Sequence, residues 1–115
     1  MSAVSRELVA ASSRPLILSI LSESESYGYA IIQRVGELTG GRLQWTDGML
    51  YPVLHKLEQE GIIAAEWKKP TGERRRKYYH LKAEGKLALA KQREDWTSVN
   101  NALANLWKGS DLCFT

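Results

Sequence analysis

The stretch Thr46–Gly61 constrains this chain more than any other. Leu50, Val53, Leu54 and Leu57 recur at spacings of three and four, which predicts a helix with one buried stripe. Gly61 follows as the glycine that ends it. The opposite face carries Thr46, Met49, His55, Lys56 and Gln59, a mildly basic, hydrogen-bonding surface that suits water or the major groove of DNA. Thr46 or Asp47 can cap the helix. Pro52 removes the bond back to Gly48 and crowds the preceding turn, so a bent start is expected.

What comes next narrows the choice. After Ile62 and Ile63, Ala65 and Trp67 fall on one face and Ala64, Glu66 and Lys68 on the other, the period of a strand. Lys69-Pro70-Thr71-Gly72-Glu73 holds both turn-forming breakers, and Arg74–Leu81 reads as a returning strand with a basic start. Helix, hairpin and basic tip in that order predict a winged helix, with one helix for the groove and one wing for the backbone. Net charge over the 115 residues is only +3, but it is unevenly placed. Residues 62–86 hold eight Lys/Arg against three Glu, whereas residues 1–61 hold five against seven Asp/Glu. Basic charge gathered on one hairpin is the footprint of a phosphate-contacting element.

Upstream, Leu8, Val9 and Ala11 make a weak helical pattern, and Pro15 precedes the apolar Leu16–Leu21. Two readings fit: Ser13 caps a helix with Pro15 in its first turn, or one longer helix bends at Pro15. Ser22–Ser26 reads as a solvated turn. Tyr27-Gly28-Tyr29-Ala30 opens a supporting helix whose Ile31, Ile32, Val35 and Leu38 face inward, and Gly40-Gly41 ends it. Downstream, Leu89, Trp96 and Leu103 lie seven apart, interleaved with Gln92, Val99 and Leu106. That is an a/d seam over about two and a half heptads, the pattern of a helix that packs on a partner. Trp107, one turn past Leu103, is placed to cover the domain body.

The pattern Gly48-x-Leu50-Tyr51-Pro52-x-Leu54-x-x-Leu57-Glu58-x-x-Gly61, followed by Trp67, Gly72 and Arg75-Arg76-Lys77-Tyr78-Tyr79-x-Leu81, resembles the PadR family of transcriptional regulators. The likeness runs from about Leu16 to Gly85. It implies that the helix beginning near Thr46 is the recognition helix. It also implies that short members dimerise through one C-terminal helix, and this chain looks like that type. Family members usually have Thr after the Tyr-Tyr-x-Leu, where it caps this helix; here Lys82 stands instead, so the helix is expected to start later or without a side-chain cap. In some short members a tryptophan at a place similar to Trp96 lines a pore between the two copies. Repression is the regulatory sign the resemblance implies.

The expected fold is therefore mainly α with a small β-hairpin: a winged helix-turn-helix domain over residues 1–81, a C-terminal dimerisation helix over 82–109, and a disordered tail over 110–115. Thr46, Gly48, Met49, Tyr51, His55, Lys56, Arg74, Arg75, Arg76 and Lys77 are the expected contacts to double-stranded DNA with a roughly palindromic operator. Alternation along a strand sends Arg74 and Arg76 one way and Arg75 and Lys77 the other, and places at least one of Tyr78 and Tyr79 in packing. Leu89, Gln92, Trp96, Val99, Leu103 and Leu106 are the expected homodimer seam, with Trp96 positioned to sandwich a planar aromatic effector. Two other functions stay compatible with the pattern: a winged helix that docks proteins, and an aromatic-binding protein without regulatory output.

Several classes are excluded or disfavoured. Gly36-x-x-x-x-Gly41 continues with Arg42-Leu43, lacking the Lys and hydroxyl of a phosphate-binding loop. His55 and His80 with the distant Cys113 form no metal-ligand spacing, and no acid–base or nucleophile constellation stands out, so neither cofactor nor enzyme activity is expected. Cys113 is a lone cysteine, which rules out an intrachain disulfide and fits a reducing cytoplasm. The apolar run Pro15–Leu21 is too short for a membrane span.

Overall fold

Ser5 starts the first helix, α1 (Arg6–Glu23), by accepting the Leu8 amide on its hydroxyl at 3.3 Å. The structure, a computed structural model, describes residues 3–108. It settles the choice left open at Pro15, because α1 runs through it as one helix. Ser12 and Ser13 bond back to the carbonyls of Leu8 and Ala10 at 2.6 and 2.8 Å on the turn before the proline. Ile17, Leu18, Ile20 and Leu21 are buried in the centre of the core.

The stretch expected to be a turn contains a short strand. Ser26–Tyr27 form β1, pairing antiparallel with the last strand in the register Ser26 to Tyr79 and Tyr27 to Tyr78. The supporting helix α2 (Gly28–Leu38) follows at once, and buries Ile31 and Val35 with Ile32 half-buried. Leu38, expected inside, is 52 % exposed: it shares the face of Ile31 and Val35 but is the last residue of the helix, beyond the end of the core. Gly40 and Gly41, both at positive φ (60° and 84°), turn the chain towards α3 (Asp47–Gln59). Leu50, Leu54 and Leu57 of α3 are fully buried and Val53 half-buried, as their spacing predicts. The Thr46 carbonyl accepts from both Met49 and Leu50, which tightens the first turn, and α3 continues through Pro52.

Strands β2 (Ile63–Lys68) and β3 (Arg76–Leu81) complete a three-stranded sheet in the order β1-β3-β2. Trp67 pairs with Lys77 and Lys68 with Arg76. The returning strand begins at Arg76, so Arg74 and Arg75 belong to the tip rather than to the strand. Tyr79 is in the core and Tyr78 stands half-buried on the other face.

The last helix, α4 (Ala83–Lys108), starts without a side-chain cap. The carbonyl of Lys82 takes the amides of Gly85 and Lys86, while the Lys82 amide donates to the Ile62 carbonyl at 3.0 Å. Gly85 lies so close to that same carbonyl that a Cβ would collide with it, and would stand 2.9 Å from Leu81 Cδ2. The apolar stripe of α4 divides in two. Leu89 is buried in this chain's own core, with Gln92 and Trp96 half-buried; Leu89 is thus no free seam position, because α1 covers the near end of the stripe. Beyond Trp96 none of the described residues covers the stripe, and Val99 and Leu106 are 55 % and 72 % exposed. Trp107, expected over the domain body, is 38 % exposed. The expected helix end at Gly109 and the tail at 110–115 lie outside the described residues.

Candidate nucleic-acid interface

Three elements converge on one side of the molecule. A groove of about 490 Å³ is lined by Tyr27–Tyr29 at the start of α2, Tyr51 from α3, and Trp67 with Arg74–Lys77 from the wing. The joint between the two helices is close-fitting. The Tyr51 hydroxyl rests against Gly28, and a Cβ at that glycine would lie 2.8 Å from Tyr51 Cζ. The bare Cα of Gly28 therefore sets how near the α3 phenol comes to the uncapped N-terminus of α2, an end that carries unpaired amides and partial positive charge. Nothing in the sequence pattern alone marked Tyr27, Gly28 or Tyr29 as part of this surface. The signal in hindsight is glycine at the first position of a helix that lacks a side-chain cap.

The wing cations are held in different ways. Arg75 stacks on Trp67 at 5.0 Å, and Arg76 stacks on Tyr27 at 4.4 Å while reaching Glu73 at 3.6 Å. A guanidinium held over a ring face can still donate from its N–H edges, which suits phosphate oxygens. Arg74 makes no ion pair among the described residues. Lys77 is different: its ammonium bonds Glu58 of α3 at 3.2 Å and lies 5.4 Å from the Tyr79 ring. Partial burial disfavours its charge, but the bond to Glu58 and the nearby phenol outweigh this and raise its pKa. Lys77 thus ties the wing to α3 in the free protein, whereas Arg74 and Arg75 project from the tip. Lys68 is similarly committed, bonding Glu25 at 2.8 Å.

Thr46, which precedes α3 and makes no side-chain cap bond to it, and Gly48, Met49, Tyr51, His55 and Lys56 on the helix are all exposed. They do not share one face: Tyr51, with His55 one turn on, lies on the side of the wing groove, whereas Met49 lines a separate groove with Val4, Val9 and Gly40–Trp45, and Lys56 follows Met49 two turns on. The C-terminal end of α3 is anchored from the other direction by Arg14, whose two terminal nitrogens each meet a Glu60 oxygen at 3.1 Å. This bidentate bond lowers the Glu60 pKa.

A second, apolar groove of about 380 Å³ lies behind the helices, lined by Val4, Leu8, Pro15, Leu16, Leu43 and Trp96 among others. Trp96 is therefore half-covered by α1 of its own chain and continues into the uncovered stripe at Val99. Among the described residues no group of His, Cys, Asp and Glu could hold a metal ion, and no helix is long and apolar enough to cross a membrane.

A helix pair joined by a glycine turn, backed by a basic hairpin and followed by one long helix, defines a winged helix-turn-helix protein. Residues 17–91 match the model of the transcriptional regulator PadR-like family, and the chain belongs to that family. The family consists of DNA-binding transcriptional regulators, not enzymes. The transcriptional regulator Rv3488 of Mycobacterium tuberculosis is 33 % identical over 88 residues, 76 % of this chain and 78 % of that protein. A PadR-like transcriptional regulator from Bacillus cereus superposes with a TM-score of 0.81 at 26 % identity, covering 90 % of this chain and 99 % of its own. A transcriptional regulator from Clostridium thermocellum gives a TM-score of 0.79 at 27 % identity, over 88 % and 95 % of the two chains.

Proposed function

We propose that this regulator is a cytoplasmic repressor that binds a roughly palindromic operator as a homodimer, and that a planar aromatic effector releases it. The observation that carries the DNA-binding geometry is the single groove shared by the α3 start, the α2 N-terminus and the wing. In this reading Met49 and Tyr51 enter the major groove, with His55 and Lys56 at its edge and Arg74–Arg76 along the flanking phosphates. Two-fold pairing through Trp96, Val99, Leu103 and Leu106 sets half-sites about one turn of DNA apart, ~10 bp, or a multiple of it. The uncovered apolar half of α4 supports this pairing, since a lone chain leaves that surface in water.

The effector would lie beside Trp96, in the groove between α1 and α4. Its aromatic face would stack on the indole and bias the angle between the two α4 helices. Fluorescence anisotropy on duplex DNA from upstream of the protein's own gene, against a scrambled duplex at three salt concentrations, tests the core of the proposal. Tight, salt-steep and sequence-selective binding is expected. Weak binding indifferent to sequence, even to duplexes selected from a random pool, would show that this winged helix docks something other than DNA. Aromatic compounds that quench Trp96 yet leave operator affinity unchanged would remove the effector from the scheme.

A further inference from the structure

Away from the DNA-facing groove, a cavity of about 400 Å³ opens where the end of α1, the end of β3 and the first half of α4 meet. Its floor is aliphatic: Leu21, Leu81, Leu89 and Ala90. Lys86 and Arg93 line it from α4, seven residues apart with Ala90 between them, so all three lie along one helix face. His80 lines the strand side.

Two features separate this cavity from an ordinary solvated helix face. First, its cations have no counter-charge. No acidic residue lines the cavity, and neither Lys86 nor Arg93 makes an ion pair among the described residues. The carboxylates nearest the two cations in sequence, Glu84 and Glu94, lie outside the lining and bridge to neither of them, while Glu23 pairs with Arg34 and Asp95 with Lys91. Second, DNA does not account for them. The cavity sits at the Leu81 end of β3, five residues from Arg76, or ~17 Å along the strand at ~3.3 Å per residue. Long basic side chains often lay their stems on apolar surface with their heads in water. Here two exposed ones border a hollow large enough to hold a ligand.

We infer that this cavity binds an alkyl carboxylate, its chain on the leucine floor and its head between Lys86 and Arg93. The lining contains no Trp, Tyr or Phe, in contrast to the groove beside Trp96, so a flexible saturated chain fits it better than a flat ring. The volume suits a chain of ~ten carbons. One bound molecule would touch α1, β3 and α4 together, at a site separate from the aromatic groove.

The test uses the full chain without DNA, titrated by calorimetry with sodium decanoate below its micellar concentration, and in parallel with 1-decanol and with acetate. Saturable binding of one decanoate per chain is expected, with decanol about tenfold weaker, ~1.4 kcal/mol, and acetate not detected. The double variant K86Q/R93Q should weaken decanoate about tenfold and leave decanol unchanged. Ala90→Phe should fill the hollow and abolish binding, while Trp96→Ala should bind decanoate as the parent does. Equal affinity for decanoate and decanol, or indifference to K86Q/R93Q, overturns the inference. So does loss of binding in Trp96→Ala, which would place the ligand in the other groove. K86Q/R93Q alters only exposed side chains, so its result stands even if Ala90→Phe fails to fold. Decanoate binding is read without an operator, so its failure and the failure of the repressor reading are distinguishable.

Discussion

Replacing Gly85 and Gly36 with alanine, one at a time, should shift stability in opposite directions. Both glycines lie inside helices, where alanine gains ~0.8–1 kcal/mol in intrinsic propensity. At Gly36 a Cβ meets nothing within 4 Å, so Gly36→Ala should stabilise by about that amount. At Gly85 the Cβ collides with the Ile62 carbonyl oxygen and would stand 3.3 Å from its carbon. Backbone cannot swing aside as a side-chain tip does, and that carbonyl is already fixed by the Lys82 amide at 3.0 Å. Overpacking of this kind costs ~1–3 kcal/mol and breaks contacts at the α4 base, so Gly85→Ala should be net destabilising by ~1–2 kcal/mol. Urea unfolding followed by far-ultraviolet circular dichroism, at one fixed protein concentration, measures both. The two midpoints should move to opposite sides of the parent. If Gly85→Ala is as stable as Gly36→Ala, the contact with Ile62 is not a constraint and the fixed seating of α4 fails with it.

The ion pair between Arg14 and Glu60 should appear in the pH dependence of unfolding. Its carboxylate has a pKa lowered from 4.5 by the Arg14 bond, so its contribution is present above that value and is lost as pH falls through the lower folded value. Arg14→Gln should therefore cost under ~1 kcal/mol at neutral pH, with the gap to the parent closing in acid; a gap that widens in acid contradicts the pairing. Arg74→Ala should leave folding unchanged and reduce the salt slope of DNA binding by ~0.9. Lys77→Ala should instead lower stability by ~1 kcal/mol, because it leaves Glu58 half-buried and unpaired; equal behaviour of the two variants would erase the distinction between tip and tie. If the proposed homodimer forms through α4, Leu103→Glu should convert it to monomer in light scattering while the far-ultraviolet spectrum is retained, and an unchanged mass would overturn that pairing.

The elements most legible in the sequence were those whose pattern is set by their own burial. Leu50, Leu54 and Leu57 are buried because a period of three and four leaves no other way to place them. The alternation around Tyr79 sends that ring inward and Tyr78 outward for the same reason. Strand β1 was not legible, since Ser26 has no apolar period and is extended only because β3 offers it a partner. The α4 stripe was visible but its partner was not: a heptad pattern says a face is covered without saying whose atoms cover it, and Leu89 is covered by its own chain. The wing cations were countable, but stacking on Trp67 or bonding to Glu58 depends on register and on the approach of α3, which a charge count does not contain.

The seating of α4 on Ile62 has a mechanical consequence. The helix has 26 residues and is ~39 Å long at 1.5 Å per residue. A rotation of ~5° at the Leu81–Ala83 joint carries its far end through ~3.4 Å, the rise of one base pair along a DNA strand. One peptide carbonyl and one missing methyl group at the fulcrum thus determine where the tip of a long arm arrives. A change too small to disturb the core at Leu89 becomes, at Lys108, a step of the same length as the unit in which an operator is written.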